Sequence, residues 1–127
     1  MPMRAVLDSN FIIALIVEDD ENHLDALSTW KHVDAAYLPV IAASEIAYFL
    51  LRHHIDLSVL SEVLRDPRIE VVENGLEDLL FAVKRKHMVK SYDDFNDMLI
   101  LSTALRLKAK LLTYDKPLKR LYESMVR

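Results

Sequence analysis

Short apolar segments alternate along the chain with longer segments that have helical periodicity. Turn-forming residues bound several of the short segments: Pro39 ends the second, and Asn74-Gly75 follows the third. Short apolar runs with such boundaries are typical of buried strands. We predict four strands, at residues 4–8, 35–39, 69–73 and 109–115.

The longer segments carry apolar residues at intervals of three and four, which predicts helices that bury one face. Ser9 is the expected cap of the first helix, which continues through the apolar run at 11–17. The basic run at 84–87 lies near the end of another helix, where the dipole favours cations. Predicted helices cover residues 9–17, 21–32, 41–54, 57–64, 76–89 and 94–108, and a last short helix contains Leu118, Leu121 and Tyr122.

The order of these elements indicates the fold class. Strands that alternate with helices are typical of parallel crossovers. We therefore predict an α/β protein: one domain, residues 1–127, built as a three-layer α/β/α sandwich around a parallel four- or five-stranded sheet. Ligands of such sheets bind beyond the carboxyl ends of the strands.

Four acids from distant segments are expected at that edge. Asp8 ends the first predicted strand, and Asp115 follows the apolar part of the fourth. Glu45 lies in the first turns of the helix after strand two, and Asp97 in the first turn of the helix before strand four. Each acid taken alone also fits a turn, a helix cap or a dipole-favoured first-turn position.

Three aspartates crowd the start of the helix at 94–108. Asp94 and Asp97 resemble a capping box, with Asp94 as the N-cap. Asp93 is interpreted as a solvated loop acid. Asp97 is the member of this group that we expect to join the acids from elsewhere in the chain.

Composition narrows the chemistry. Lys and Arg number 16 against 20 Asp and Glu, so the net charge of −4 provides no global attraction to nucleic acid. With no cysteine and one glycine, thiol chemistry, cysteine-based zinc sites, phosphate loops and dinucleotide fingerprints are excluded. The lack of cysteine is also consistent with a cytoplasmic protein. No apolar stretch reaches membrane-spanning length, and no signal peptide is expected.

A cluster of carboxylates needs compensation. Two carboxylates about 4 Å apart repel by about 4 kcal/mol at an effective dielectric of about 20. Protonation or a bound cation relieves this repulsion. Oxygen ligands without Cys, and without His at a metal-binding spacing, suit Mg²⁺ or Mn²⁺ better than zinc.

Three segments carry a family resemblance: "AVLDSNFIIAL" at 5–15, "LPVIAASEIAYFLLR" at 38–52 and "DFNDMLILSTALRLKAKLLTYDKPL" at 94–118. They resemble PIN-domain proteins, above all VapC, the ribonuclease toxin of type II toxin–antitoxin pairs. The resemblance spans nearly the whole chain in the family's order. It implies an α/β/α sandwich that cleaves single-stranded RNA with Mg²⁺ or Mn²⁺, a homodimer, and a small antitoxin whose tail fills the cleft.

The resemblance also implies roles for particular residues. By position, the catalytic and metal-binding quartet of the family corresponds to Asp8, Glu45, Asp97 and Asp115. Asn10 and Thr113 match small polar positions that support the site, and Asp94 matches an extra acid found in some members.

Cations near these acids are candidates for holding RNA. Lys116, Lys119 and Arg120 follow Asp115, and Arg52 lies two helical turns after Glu45. An ordinary solvated surface charge is an equally good interpretation of each. Aromatic residues such as Tyr48 and Tyr37 are assigned to the core or a dimer interface in preference to base-stacking platforms.

Two other functions remain alternatives. A phosphatase with an aspartyl nucleophile would need a second acid two residues after Asp8, where the chain has Asn10. A non-catalytic PIN-fold module that binds RNA or serves as a scaffold would keep the fold without the chemistry. The full acid quartet argues against that module but is compatible with it.

Overall fold

The computed structural model describes residues 2–126. Its strands are β1 (Met3–Leu7), β2 (Val33–Pro39), β3 (Ile69–Val72) and β4 (Lys110–Leu112). Its helices are α1 (Ser9–Ile16), α2 (His23–Trp30), α3 (Val40–Arg52), α4 (Ser58–Leu64), α5 (Leu76–Lys84), α6 (Tyr92–Leu107) and α7 (Lys116–Met125), with a 3₁₀ turn at Lys86–Met88.

The strands form one parallel sheet in the order β3-β2-β1-β4. Helices cover both sides of this sheet, so the predicted α/β/α sandwich with a four-stranded parallel sheet is confirmed. The chain runs outward from β1 to β3 and then returns to place β4 on the other side of β1. The carboxyl ends of β1 and β4 therefore flank the switch point where parallel sheets form ligand crevices.

Burial on both faces explains the central strands and the longest helix. Val6 and Leu7 of β1 are fully buried, as are Ile100 and Leu101 of α6. The helix predicted after strand two buries one face, on which Ile46 and Leu50 are also fully buried. His53 is exposed beyond the end of α3.

A polar network joins the start of α3 to α6. Asn74, in the loop after β3, accepts a hydrogen bond from the Ile41 amide at 3.0 Å and donates one to the Thr103 hydroxyl at 3.1 Å. The Asn74 side chain also donates to Asp78 at 3.4 Å. Because α3 and α6 carry Glu45 and Asp97, this loop fixes the relative position of the two helices that bear predicted site residues.

No helix within residues 2–126 has both the length and the apolar character needed to cross a membrane.

Candidate active site

Asp8 caps α1 and lies at the carboxyl end of β1. Its Oδ1 accepts from the Ser9 amide at 2.8 Å, so Asp8 caps the helix and Ser9, the predicted cap, is its first residue. Its Oδ2 accepts from the Thr113 hydroxyl at 2.7 Å. Burial, which leaves Asp8 only 3% exposed, raises its pKa, and hydrogen bonds from Thr113 and Ser9 partly oppose that rise.

Asn10 and Thr113 connect the ends of β1 and β4. The Thr113 hydroxyl accepts a hydrogen bond from the Asp115 amide at 3.0 Å and donates one to Asp8. The Asn10 side chain accepts from the Tyr114 amide at 3.0 Å and donates to Thr113 at 3.3 Å. Both residues predicted to support the site therefore link the end of β1, at Asp8, to the residues around Asp115.

Asp115 is the N-cap of α7, and its Oδ1 accepts from the Leu118 amide at 2.9 Å. Two residues separate it from the last residue of β4, so the fourth strand is shorter than predicted. The hydrogen bond from Leu118 holds the Asp115 carboxylate at the edge of the sheet, where Asp115 is half-buried.

Glu45 and Asp97 both fall in the second turn of their helices, because α3 begins at Val40 and α6 at Tyr92. Glu45 therefore lies in the first turns of its helix as predicted, whereas Asp97 lies one turn deeper than predicted. Burial raises the pKa of Asp97 to about 8, helped by the charges of Asp8, Asp115, Glu45 and Asp94 in that order. Burial also raises the pKa of Glu45 to about 7, with the charge of Asp8 the next cause. The other three predicted acids therefore lie near enough to Asp97 for their charges to raise its pKa.

Two oxygens in this region are buried without a hydrogen-bond partner. Among residues 2–126 they are Glu45 Oε1 and Asn96 Oδ1. A buried carboxylate oxygen without a partner is costly unless a proton or a cation meets it. The oxygen donors and the unpartnered Glu45 Oε1 fit a hard divalent cation.

The arrangement of the acids is not that of a closed metal site. Within the described part of the chain, no three Asp, Glu, His or Cys side chains are grouped so that they hold a metal ion as they stand. The acids also line separate cavities: Asp94, Asp97 and Asp115 line one of about 270 Å³, and Glu45 lines another of about 610 Å³. Binding one ion would require side-chain movement between these cavities.

The start of α6 differs from its prediction. Ser91, not Asp94, is the N-cap, and its hydroxyl accepts from the Asp94 amide at 3.0 Å. Asp94 stands three residues later, and its carboxylate accepts from the Lys90 amide at 3.0 Å. Asp93 is exposed as predicted, but it belongs to the first turn of the helix and not to a loop. A Ser-x-x-Asp pattern at 91–94 is the local signal that identifies the true cap.

The candidate RNA-binding cations occupy two places. Lys116, Lys119 and Arg120 are exposed on the first turns of α7, directly after Asp115. Arg52 is exposed at the end of α3 and donates to the Tyr48 hydroxyl at 3.3 Å. Tyr48 is exposed and lines the same cavity as Glu45 and Arg52, so it is not a core residue, and its place in a dimer interface stays a prediction.

The family model for the PIN domain matches residues 5–124. This chain belongs to the PIN-domain family. A comparison with curated proteins gives no match to this PIN domain.

Solved structures share the fold of this PIN domain. VapC20 of Mycobacterium tuberculosis, described as a Sarcin-Ricin loop cleaving toxin, superposes with a TM-score of 0.79 at 14% identity, over 92% of this chain and 94% of that one. A toxin–antitoxin complex from Klebsiella pneumoniae gives 0.66 at 18% identity, with 87% and 86% covered. VapBC2 from Rickettsia felis, bound to a DNA fragment from its promoter, gives 0.63 at 17% identity, with 93% and 92% covered. At these identities the likeness establishes the fold alone.

Proposed function

We propose that this PIN domain is a metal-dependent endoribonuclease that cleaves single-stranded regions of RNA, and that it acts as the toxin of a toxin–antitoxin pair. Family membership supports a nuclease of this class. The observation that supports the proposal most is the raised pKa of Asp97, to which three other acids from distant segments contribute. Such perturbed carboxyls at a sheet edge are typical of functional sites.

Asp8, Glu45, Asp97 and Asp115 are the proposed ligands of Mg²⁺ or Mn²⁺, and Asp94 is a candidate outer ligand. When bound, the ion activates water and offsets negative charge on the phosphate under attack. Thr113 orients Asp8 and the Asp115 backbone amide through its hydrogen bonds, and Asn10 holds the neighbouring Tyr114 amide. Glu45 contributes a buried oxygen that no hydrogen bond occupies.

Substrate binding has to overcome the chain's net charge of −4. Lys116, Lys119 and Arg120 form a local group of exposed cations beside Asp115, so we assign them to contacts with RNA phosphates. Such contacts position the RNA without reading its sequence. We assign this activity to the cytoplasm, together with its RNA substrates.

Exposed apolar side chains suggest protein partners. Leu51 at the end of α3 and Leu76, Leu80 and Val83 of α5 are all substantially exposed. Val40 and Leu79 line one groove between these helices. We infer that two copies of the chain associate through this face, since burying it would remove apolar surface from water. The antitoxin-bound complexes among the structural neighbours support a small protein partner as well.

A non-catalytic PIN-fold module is the second candidate. The observation that favours it is the lack, among residues 2–126, of a ready-made group of three metal-binding side chains. Such a protein would bind RNA or a partner at the same edge of the sheet without cleaving RNA.

Cleavage of a mixed single-stranded RNA in Mn²⁺ separates the two candidates. We expect the wild-type protein to cleave and Asp8→Asn to be slower by at least about 100-fold, because a charge-stabilising ligand at the reacting phosphate is lost. Glu70→Gln, which neutralises an exposed acid on edge strand β3, serves as the control and should cleave like wild type. Equal cleavage by wild type and Asp8→Asn would overturn the mechanism. No cleavage by either, with no metal binding by calorimetry, would favour the non-catalytic module.

A further inference from the structure

A groove between α3 and the start of α6 adjoins the proposed metal site. It encloses about 610 Å³ and is lined from α3 by Ser44, Glu45, Tyr48 and Arg52, and from α6 by Tyr92, Asp93 and Asn96. Glu45, one of the proposed metal ligands, lies in its wall. A group bound in this groove would therefore lie beside the phosphate that the proposed reaction cleaves.

Two tyrosines supply aromatic surface to this groove. Tyr48 is 64% exposed and Tyr92 is 73% exposed, although tyrosine rings usually bury most of their apolar surface. Tyr48 lies within α3, and Tyr92 is the first residue of α6. The hydrogen bond from Arg52 to the Tyr48 hydroxyl, at 3.3 Å, holds the Tyr48 side chain in place. Exposed, positioned aromatic rings are the feature by which proteins stack unpaired bases.

The charges of the groove favour a base over a phosphate. Apart from Glu45, which is assigned to the metal, the groove carries one acid, Asp93, and one guanidinium, Arg52. A groove without net positive charge does not favour a phosphate, whereas a neutral base offers N–H groups that the Asp93 carboxylate accepts. Asn96, only 3% exposed, adds a further acceptor, because its Oδ1 is buried without a partner.

We infer that the groove between α3 and α6 holds one unpaired nucleobase of the RNA substrate, stacked on Tyr48 and Tyr92. Arg52 positions the Tyr48 ring and contacts the backbone that leads into the groove. This inference rests on the proposed ribonuclease function, because it makes the groove a specificity subsite beside the scissile phosphate.

Binding can be measured without cleavage in the Asp8→Asn background. The probe is a single-stranded oligonucleotide that contains 2-aminopurine, whose fluorescence is quenched by stacking. We expect saturable quenching, and Tyr48→Leu or Tyr92→Leu should weaken binding by about 5- to 140-fold, the range expected for loss of one stacking aromatic. Tyr48→Phe keeps the ring and should retain the quenching. Leu24→Ala, at an exposed site on α2, is the control and should bind normally.

The same tyrosine substitutions with Asp8 intact report on cleavage. We expect Tyr48→Leu to redistribute the cleavage sites in a mixed RNA, and Tyr48→Phe to preserve them. Both substitutions lie on exposed positions, and thermal melting will establish that each variant is folded. Asp8→Asn could quench the probe's fluorescence while none of the proteins with Asp8 intact cleaves RNA. That result would remove the ribonuclease proposal but keep the base-binding groove.

Two results would overturn the inference while leaving ribonuclease activity intact. One is unchanged quenching and unchanged cleavage sites in both leucine variants. The other is a Tyr48→Leu variant that loses quenching and also changes its sedimentation coefficient. Tyr48 would then act by packing between two copies of the chain.

Discussion

Asp8 is held by groups from both ends of the chain. It accepts hydrogen bonds from the amide of the next residue, Ser9, and from the hydroxyl of Thr113, more than a hundred positions away in the chain. These bonds favour the ionised carboxylate, whereas burial and the charge of Asp115 favour the protonated form. The balance at this one residue decides how readily a cation can replace a proton there.

Thr113→Val tests the contact between the two ends at the residue scale. Valine keeps the shape of threonine but removes the hydroxyl that Asp8 and the Asp115 amide share. Since Thr113 is buried, we expect the free energy of unfolding to fall by about 1–3 kcal/mol. Urea denaturation measures this change, with Thr29→Val on α2 as the matched control. A loss no larger than that of the control would show that the hydroxyl contributes little.

The Asp78 carboxylate anchors α5 to α6 at the element scale. It is fully buried and accepts from the Ser102 hydroxyl at 2.7 Å and from Arg106 at 3.0 Å. Burial pushes its pKa upward, but the hydrogen bonds from Ser102 and Arg106 outweigh that effect and hold the pKa below its usual range. Through Asn74, the same network reaches the start of α3. The helices that bear Glu45 and Asp97 are thus aligned by groups outside the candidate site.

Asp78→Asn should reduce the free energy of unfolding by about 1–3 kcal/mol at neutral pH, because a charged acceptor for Arg106 is lost from the interior. The lowered pKa of Asp78 means that its contribution is present above the unfolded value of 3.8 and disappears as the pH falls through the lower folded value. The difference between wild type and variant should therefore shrink in acid. Denaturation curves at several pH values provide the measurement, and a difference that is constant down to the most acidic condition would contradict the assignment.

Proton binding by the acids at the sheet edge should be visible in the whole molecule. Burial and neighbouring negative charge raise the pKa of Glu45 to about 7 and of Asp97 to about 8. The folded protein then binds more protons than the unfolded chain between about pH 4 and pH 8. For these groups, stability is fully present below the unfolded pKa values and is lost as the pH rises through the folded ones.

We therefore expect chelator-treated protein to melt at least about 4 °C lower at pH 8 than at pH 5.5 as a result of these acids. Mn²⁺ should raise the melting temperature more at pH 8, where a much larger fraction of Glu45 and Asp97 is deprotonated, than at pH 5.5. Calorimetric scans of wild type and of Asp97→Asn measure both effects. The variant should have a weaker dependence on pH and on Mn²⁺; an identical dependence would remove Asp97 from the proposed ligand set.

Much of the architecture could be predicted from local pattern. The period of the apolar positions identifies the strands and helices in order, and that order alone leads to a parallel α/β sandwich. Errors fell at boundaries, where local groups compete. Ser91 takes the cap position that was assigned to Asp94, and Asp8 takes the one assigned to Ser9. In both cases the helix begins after the residue whose side chain accepts a hydrogen bond from a free amide of the first turn.

The sequence by itself determined the fold class and the four candidate acids, because strand ends and helix starts follow from local periodicity. The tertiary structure alone decided the strand order, the pairing of Asp8 with Thr113, and the buried Asp78–Arg106 contact. It also brought Tyr48 and Tyr92 into one groove, although they come from different helices. Contacts between residues far apart in the chain depend on how whole elements pack, and no pattern of neighbouring residues specifies that packing.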